Sequence, residues 1–184
     1  ACVCACVCAC VCACVCACVG ACVGDLKLVL VGFTQPNEVS WLEGEIDRLG
    51  LHEYVDFLGI VESAEIPNLI AESDICIHPF PATKDFDSVY PIKVYEYLAM
   101  SKPVVSSDLT ATRKIIKDGV NGILVKPEDP VAMAEAIQRI FEDRDLRQRF
   151  EQNARPSVEA FSWQVINKKI IDRLSDVSTL ERLI

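Results

Sequence analysis

From residue 25 onward the chain alternates short apolar runs with stretches whose apolar positions recur every three or four residues. Leu26-Lys27-Leu28-Val29-Leu30-Val31 closes on Gly32 and predicts a buried strand. Val39, Leu42, Ile46 and Leu49 then share one helical face, and Gly50 stands where that helix stops. Val55-Asp56-Phe57-Leu58-Gly59 predicts a second strand, and Ser63 a cap for a helix reaching about Glu72. Ile75-Cys76-Ile77-His78 is a third strand bounded by Pro79, followed by a polar loop to Tyr90. Pro91 opens a helix to Met100, residues 103–106 form the fourth strand, a short helix covers 111–117, and 123–125 is the fifth strand. Helical patterns then fill 131–141, 146–154 and 163–174. Strands that alternate with helices in this way predict an α/β fold, a Rossmann-like parallel sheet with helices on both faces.

The first 24 residues break the pattern. They repeat Ala-Cys-Val-Cys four times and Ala-Cys-Val-Gly twice, and hold ten of the eleven cysteines. Back-translated, the repeat approaches a pure GT dinucleotide tract, so a translated microsatellite or a filler for unassigned residues is the simplest origin. Alternating Cys-x-Cys would line one strand face with thiols, yet no His joins them, and no metal site is expected. The tract is long enough to span a bilayer but is built from weakly inserting residues and has no basic flank, and it lacks the marks of a signal peptide. The expected organisation is therefore a tract at 1–24, one folded domain at 25–178 that folds without the tract, and a tail at 179–184. The tract filling the slot of a first strand is the competing possibility.

Composition narrows the function. The 184 residues carry 18 basic and 27 acidic side chains, a net charge of −9 that lies wholly outside the tract and argues against nucleic-acid binding. Cys76 is the lone cysteine of the folded part and reads as a small buried hydrophobe. His78 reads as a packing and hydrogen-bonding residue, and Trp41 and Trp163 as packing residues.

A parallel sheet of this kind binds ligands beyond the carboxyl ends of its strands. The segments predicted there are Gly32-Phe33, Gly59-Ile60, the loop from His78 to Tyr90, and 106–112. The third leads into a helix start, where backbone amides lack intrahelical partners. Lys93 and Glu96, three residues apart, share a face of that helix. Taken alone, they read as a surface ion pair as readily as a binding site.

The run 91–105, Pro-Ile-Lys-Val-Tyr-Glu-Tyr-Leu-Ala-Met-Ser-Lys-Pro-Val-Val, followed by Asp118-Gly119-Val120-Asn121-Gly122-Ile123-Leu124-Val125, strongly resembles glycosyltransferase family 4, the retaining GT-B enzymes. Val55–Gly59, 73–79 and Phe161-Ser162-Trp163 extend the resemblance, which covers about 25–175 and only the C-terminal, donor-binding half of such an enzyme. It implies a nucleotide-sugar donor and retention of anomeric configuration, with the acceptor-binding N-terminal half as a missing partner. Nucleic acid is not an expected partner, and no cofactor or metal is implied. Glu96 matches the second acid of the family's Glu-x7-Glu motif, which binds the ribose hydroxyls. Amides around Val89, Tyr90 and Ile92 would hold the diphosphate or sugar; Pro91 has none to offer. Ile60 would lie against the base, and Gly32, Asp87, Ser88 and Lys93 complete the donor-binding set. No catalytic side chain is assigned. The implied location is cytoplasmic, or peripheral at the inner membrane face.

Several positions depart from the family pattern. Ser88 replaces the first Glu of the motif, with Asp85 and Asp87 close by. Thr110-Ala111 replaces a Gly-Gly pair, and Lys114 replaces the Glu after it. The segment that supplies the family's Arg and Lys clamp for the diphosphate is here the Ala/Cys/Val tract, leaving Lys84, Lys93 and Arg113 as cations near the site. The isolated chain is therefore expected to transfer no sugar. The alternatives are a non-catalytic nucleotide-binding or signalling module, or a GT-B epimerase fragment; a receiver-type module lacks its phosphoacceptor Asp after the first strand.

Overall fold

The computed structural model describes residues 2–6, 26–32 and 36–181. Among the described residues six parallel strands form one sheet: β1 (Cys2–Cys6), β2 (Leu26–Val31), β3 (Val55–Gly59), β4 (Ile75–His78), β5 (Val104–Ser107) and β6 (Gly122–Val125). Their spatial order is β3-β2-β1-β4-β5-β6, the doubly wound arrangement whose ligand crevice lies where the strand order reverses. The helices among the described residues are α1 (Pro36–Leu49), α2 (Ile66–Glu72), α3 (Lys84–Ser88), α4 (Ile92–Ala99), α5 (Pro130–Glu142), α6 (Arg144–Val158) and α7 (Trp163–Glu181).

Every strand expected from sequence is present, joined by a sixth from the tract. Cys2 to Cys6 run in register with Leu26 to Leu30 on one side, and Cys4 and Ala5 face Ile75 and Cys76 on the other. The expected boundary at residue 25 therefore does not coincide with the limit of the sheet. An uncharged run without proline suits a central parallel strand, whose two faces are both covered. At the other end α7 continues to Glu181, past the expected boundary at 178.

Strand alternation divides the core in two. Ile75, Ile77 and Val105 point with Leu28 and Leu30 into a layer completed by Leu42 and Ile46 of α1 and Ile137 and Ile140 of α5. Cys76 and Val104 point the other way, onto Ile70 of α2, Val94 and Leu98 of α4, and Ala154 and Val158 of α6. Asp143 joins α5 to α6: its amide donates to the Arg139 carbonyl, and its carboxylate accepts from the Leu146 amide at 2.9 Å.

Three local expectations change. The helix expected at 111–117 contracts to a 3₁₀ turn, Thr112–Lys114. Side chains capture the backbone there: the Leu109 amide donates to the buried Thr112 hydroxyl, and the Lys117 amide donates to Asn121 Oδ1 at 2.8 Å. The polar loop before Tyr90 contains α3, capped by Thr83, whose hydroxyl accepts from the Phe86 amide. Finally, α2 starts at Ile66 rather than beside Ser63, after a turn in which the Glu65 carboxylate accepts from the Glu62 amide.

Candidate functional site

The carboxyl ends of β4 and β5 are tied by side chains. His78 is buried at the end of β4, with Nδ1 3.2 Å from the Ser106 hydroxyl on β5. Its ring stacks on Phe80 at 4.3 Å between centroids, and Phe80 meets Phe86 of α3 edge-on. Burial pushes the His78 pKa down to about 4, so the imidazole is neutral near pH 7. This agrees with the packing and hydrogen-bonding role expected of it.

A second tie joins the loops in front of the sheet. Both Asp87 carboxylate oxygens accept from Thr110, one from its amide at 2.9 Å and one from its hydroxyl at 2.8 Å. The Ala111 amide donates to the Asp87 carbonyl. These bonds from Thr110 hold the Asp87 carboxyl below its ordinary pKa. Asp87 is thus a brace between loops, with its acceptor atoms already engaged. Arg113 grips Asp108 through two hydrogen bonds, which lower the Asp108 pKa. Lys114 follows, with its ammonium 5.9 Å from the centre of the Tyr90 ring.

Glu96 lies one turn into α4. With Lys93 it lines a hollow of about 330 Å³ against Ser63, Ile66 and Ile70 from the segment leading into α2 and from α2 itself. The Glu96 side chain as a whole is partly exposed, yet Oε2 is shielded from solvent and has no hydrogen-bond partner. Lys93 Nζ is 3.8 Å away, close enough for attraction and too far for a hydrogen bond. A hydroxyl placed in the hollow reaches Oε2 only once a side-chain rotation uncovers it, and it would then satisfy an acceptor that has no hydrogen-bond partner here.

The remaining expected residues fall into two sets. Ile60 (72% exposed), Val89 and Tyr90 (59% each) and Ile92 (67%) are apolar side chains left open at this edge; Ser88 ends α3 and is exposed. Two backbone amides, by contrast, are already engaged. The Ile92 amide donates to the Tyr90 carbonyl across Pro91, whose φ of −82° and ψ of 83° make an inverse γ-turn. The Gly32 amide donates to the Gly59 carbonyl at 2.8 Å. In this arrangement both amides already donate to a backbone carbonyl.

Sequence reading did not find the Asp87–Thr110 brace or the His78–Ser106 contact. Each joins residues more than twenty positions apart, which no local pattern signals. It also missed an apolar cleft of about 1020 Å³ lined by Tyr90, Ile92, Tyr95, Phe161, Trp163 and Ile166. The apolar periodicity of 163–174 and the exposed aromatics were its available signal. Among the described residues there is no group of three His, Cys, Asp or Glu able to hold a metal ion, and no helix long and apolar enough to cross a membrane.

Residues 21–157 match the model of the family described as glycosyl transferases group 1. The chain is 29% identical over 155 residues to the phosphatidyl-myo-inositol mannosyltransferase of Mycobacterium leprae, covering 84% of this chain and 39% of that protein. Anabaena Alr3699/HepE, solved with UDP, superposes with a TM-score of 0.79 at 28% identity, over 89% of this chain and 44% of that one; it has also been solved with UDP-glucose. The C-terminal domain of the group 1 glycosyl transferase LpcC from Francisella tularensis shares the fold, with a TM-score of 0.71 at 21% identity, over 85% of this chain and 83% of that domain. The chain spans about two fifths of the length of the curated relative. A doubly wound sheet carrying the 91–105 and 118–125 segments, matched by the family model over most of the chain, belongs to the group 1 glycosyl transferases.

Proposed function

We propose that this chain is the donor-binding half of a retaining glycosyltransferase of family 4, taking a nucleotide-diphosphate sugar at the carboxyl edge of the sheet. The observation that carries the proposal is Glu96, a partly exposed carboxylate that lines the hollow between α2 and α4 and whose Oε2 has no hydrogen-bond partner. A ribose supplies two vicinal hydroxyl donors, and a carboxylate can accept from both. Ile60, exposed at the end of β3, provides an apolar rest for a base. Diphosphate and sugar would lie before α4, near Ser88, Val89 and Tyr90, where the helix start favours the charge released as the sugar departs. Asp87 acts in this scheme by holding the Thr110 loop in place.

The solved complexes of a similar protein with UDP and UDP-glucose make UDP the first probe. Charge-assisted hydrogen bonds from a ribose to Glu96 are worth about 1.5–3 kcal/mol, or about ten- to a hundredfold in affinity. Titration of UDP and GDP into wild type and Glu96→Ala by calorimetry should show that loss for whichever nucleotide binds, with the melting temperature little changed. Equal affinities would assign Glu96 to the surface ion pair with Lys93 alone.

The acceptor half belongs to the remaining length of the relatives, and we place the protein in the cytoplasm or peripherally at the inner membrane face. A relative named for a phosphatidyl-inositol acceptor fits that location. The chain by itself should transfer no sugar from a panel of nucleotide-sugars to common acceptors. Turnover above background would show that the acceptor half is dispensable.

A further inference from the structure

The cations near the site differ in what already holds them. Arg113 is bound by two hydrogen bonds to Asp108, Lys93 lies 3.8 Å from Glu96, and Lys84, without an ion pair among the described residues, opens α3 with Asp85 and Asp87 in the same first turn. Lys114 forms no ion pair among the described residues; its ammonium sits over the face of Tyr90, 5.9 Å from the ring centre. Tyr90 in turn stands immediately before Pro91 and the start of α4. The backbone beneath Lys114 is fixed from two sides. Thr110 and Ala111 are bonded to Asp87, and the Thr112 hydroxyl is buried among Ser107, Leu109 and its own turn. Asp87 and Asp108, the acids bonded to this segment, have their carboxylates engaged by Thr110 and Arg113. Lys114 is therefore an exposed positive charge on a rigid turn, held by a cation–π contact that is weak at such a site.

We propose that Lys114 is the donor-contact residue that meets the diphosphate, leaving the Tyr90 face to do so. The proposal rests on the donor-site reading above and goes beyond it, because the family resemblance implies a Glu where this chain carries Lys114. An ammonium there supplies, from the loop after β5, a positive charge that the tract at 1–24 lacks.

Calorimetric titration of the full chain with UDP and with uridine tests it, using wild type, Lys114→Ala and Lys114→Arg. Lys114→Ala should bind UDP about tenfold more weakly than wild type, bind uridine unchanged, and show a shallower dependence of UDP affinity on salt. Lys114→Arg should keep most of the UDP affinity, and Glu96→Ala should lose both ligands. UDP affinity in Lys114→Ala within twofold of wild type would overturn the assignment, as would an equal loss for uridine. If wild type binds neither ligand, the donor-site reading itself falls, and this assignment with it.

Discussion

His78 and Glu96 illustrate two ways in which a polar side chain lives at the edge of this sheet. His78 is buried and held against Ser106, so its neutral form is the one that fits. Its pKa falls from an ordinary 6.5 to about 4 because burial penalises the imidazolium. The unfolded chain therefore binds a proton between those values that the folded chain refuses. Stability from this residue is complete above about pH 6.5 and is lost progressively as the pH falls to about 4, by up to about 3 kcal/mol. Urea denaturation of wild type and His78→Phe at pH 7 and pH 4.5 checks the sign. The wild type should lose more stability across that interval than the variant, and parallel losses would refute the attribution. Glu96 is the opposite case, a partly exposed side chain whose Oε2 has no hydrogen-bond partner.

At the scale of elements, loops are joined by buried side chains rather than by regular structure. Asn121 is the clearest instance. Its Oδ1 accepts from the Lys117 amide, and its Nδ2 donates to the Ile115 carbonyl and the Ser157 hydroxyl, tying the turn before β6 to α6. Gly122 beside it has no room for a side chain: a Cβ would come within 2.5 Å of the Val104 carbonyl oxygen on β5. The Asn-Gly pair of the 118–125 segment thus has a packing reason, independent of any ligand. Asn121→Ala removes the partners of the buried Ile115 carbonyl and the part-buried Lys117 amide and should cost about 1–3 kcal/mol in chemical denaturation. A change below about 0.5 kcal/mol would mean that water replaces these bonds.

For the whole molecule, the decisive feature is the placement of β1 between β2 and β4. Sequence reading expects 25–178 to fold without the tract, but the sheet order makes the tract's strand its centre. Removing residues 1–24 would uncover two long strand edges and split the sheet into β3-β2 and β4-β5-β6. The truncated chain should be insoluble or should lose its cooperative unfolding transition. A soluble, cooperatively unfolding product would show that β2 and β4 can close on each other. The tract's repeat offers the same backbone pattern every four residues, so its sequence alone does not choose which copy fills the slot.

The sequence by itself determined the strands and the longer helices from Leu26 onward and the parallel α/β class, and it led to the carboxyl edge of the sheet as the place to look for a ligand. Apolar periodicity is a local property, and burial on both faces of a strand leaves a continuous apolar run to be read. It also pointed to Lys93 and Glu96, because three-residue spacing on a helix fixes a shared face. Only the tertiary structure decided that Cys2–Cys6 takes the centre, since its neighbours there, Leu26–Leu30 and Ile75–Cys76, are far apart in the chain. The same holds for Asp87, assigned to the donor from sequence and found bracing Thr110. It holds too for the Ile92 amide, which the turn at Pro91 had already engaged. Whether a polar group is free to meet a ligand depends on which distant partners reach it first, and that is settled by packing.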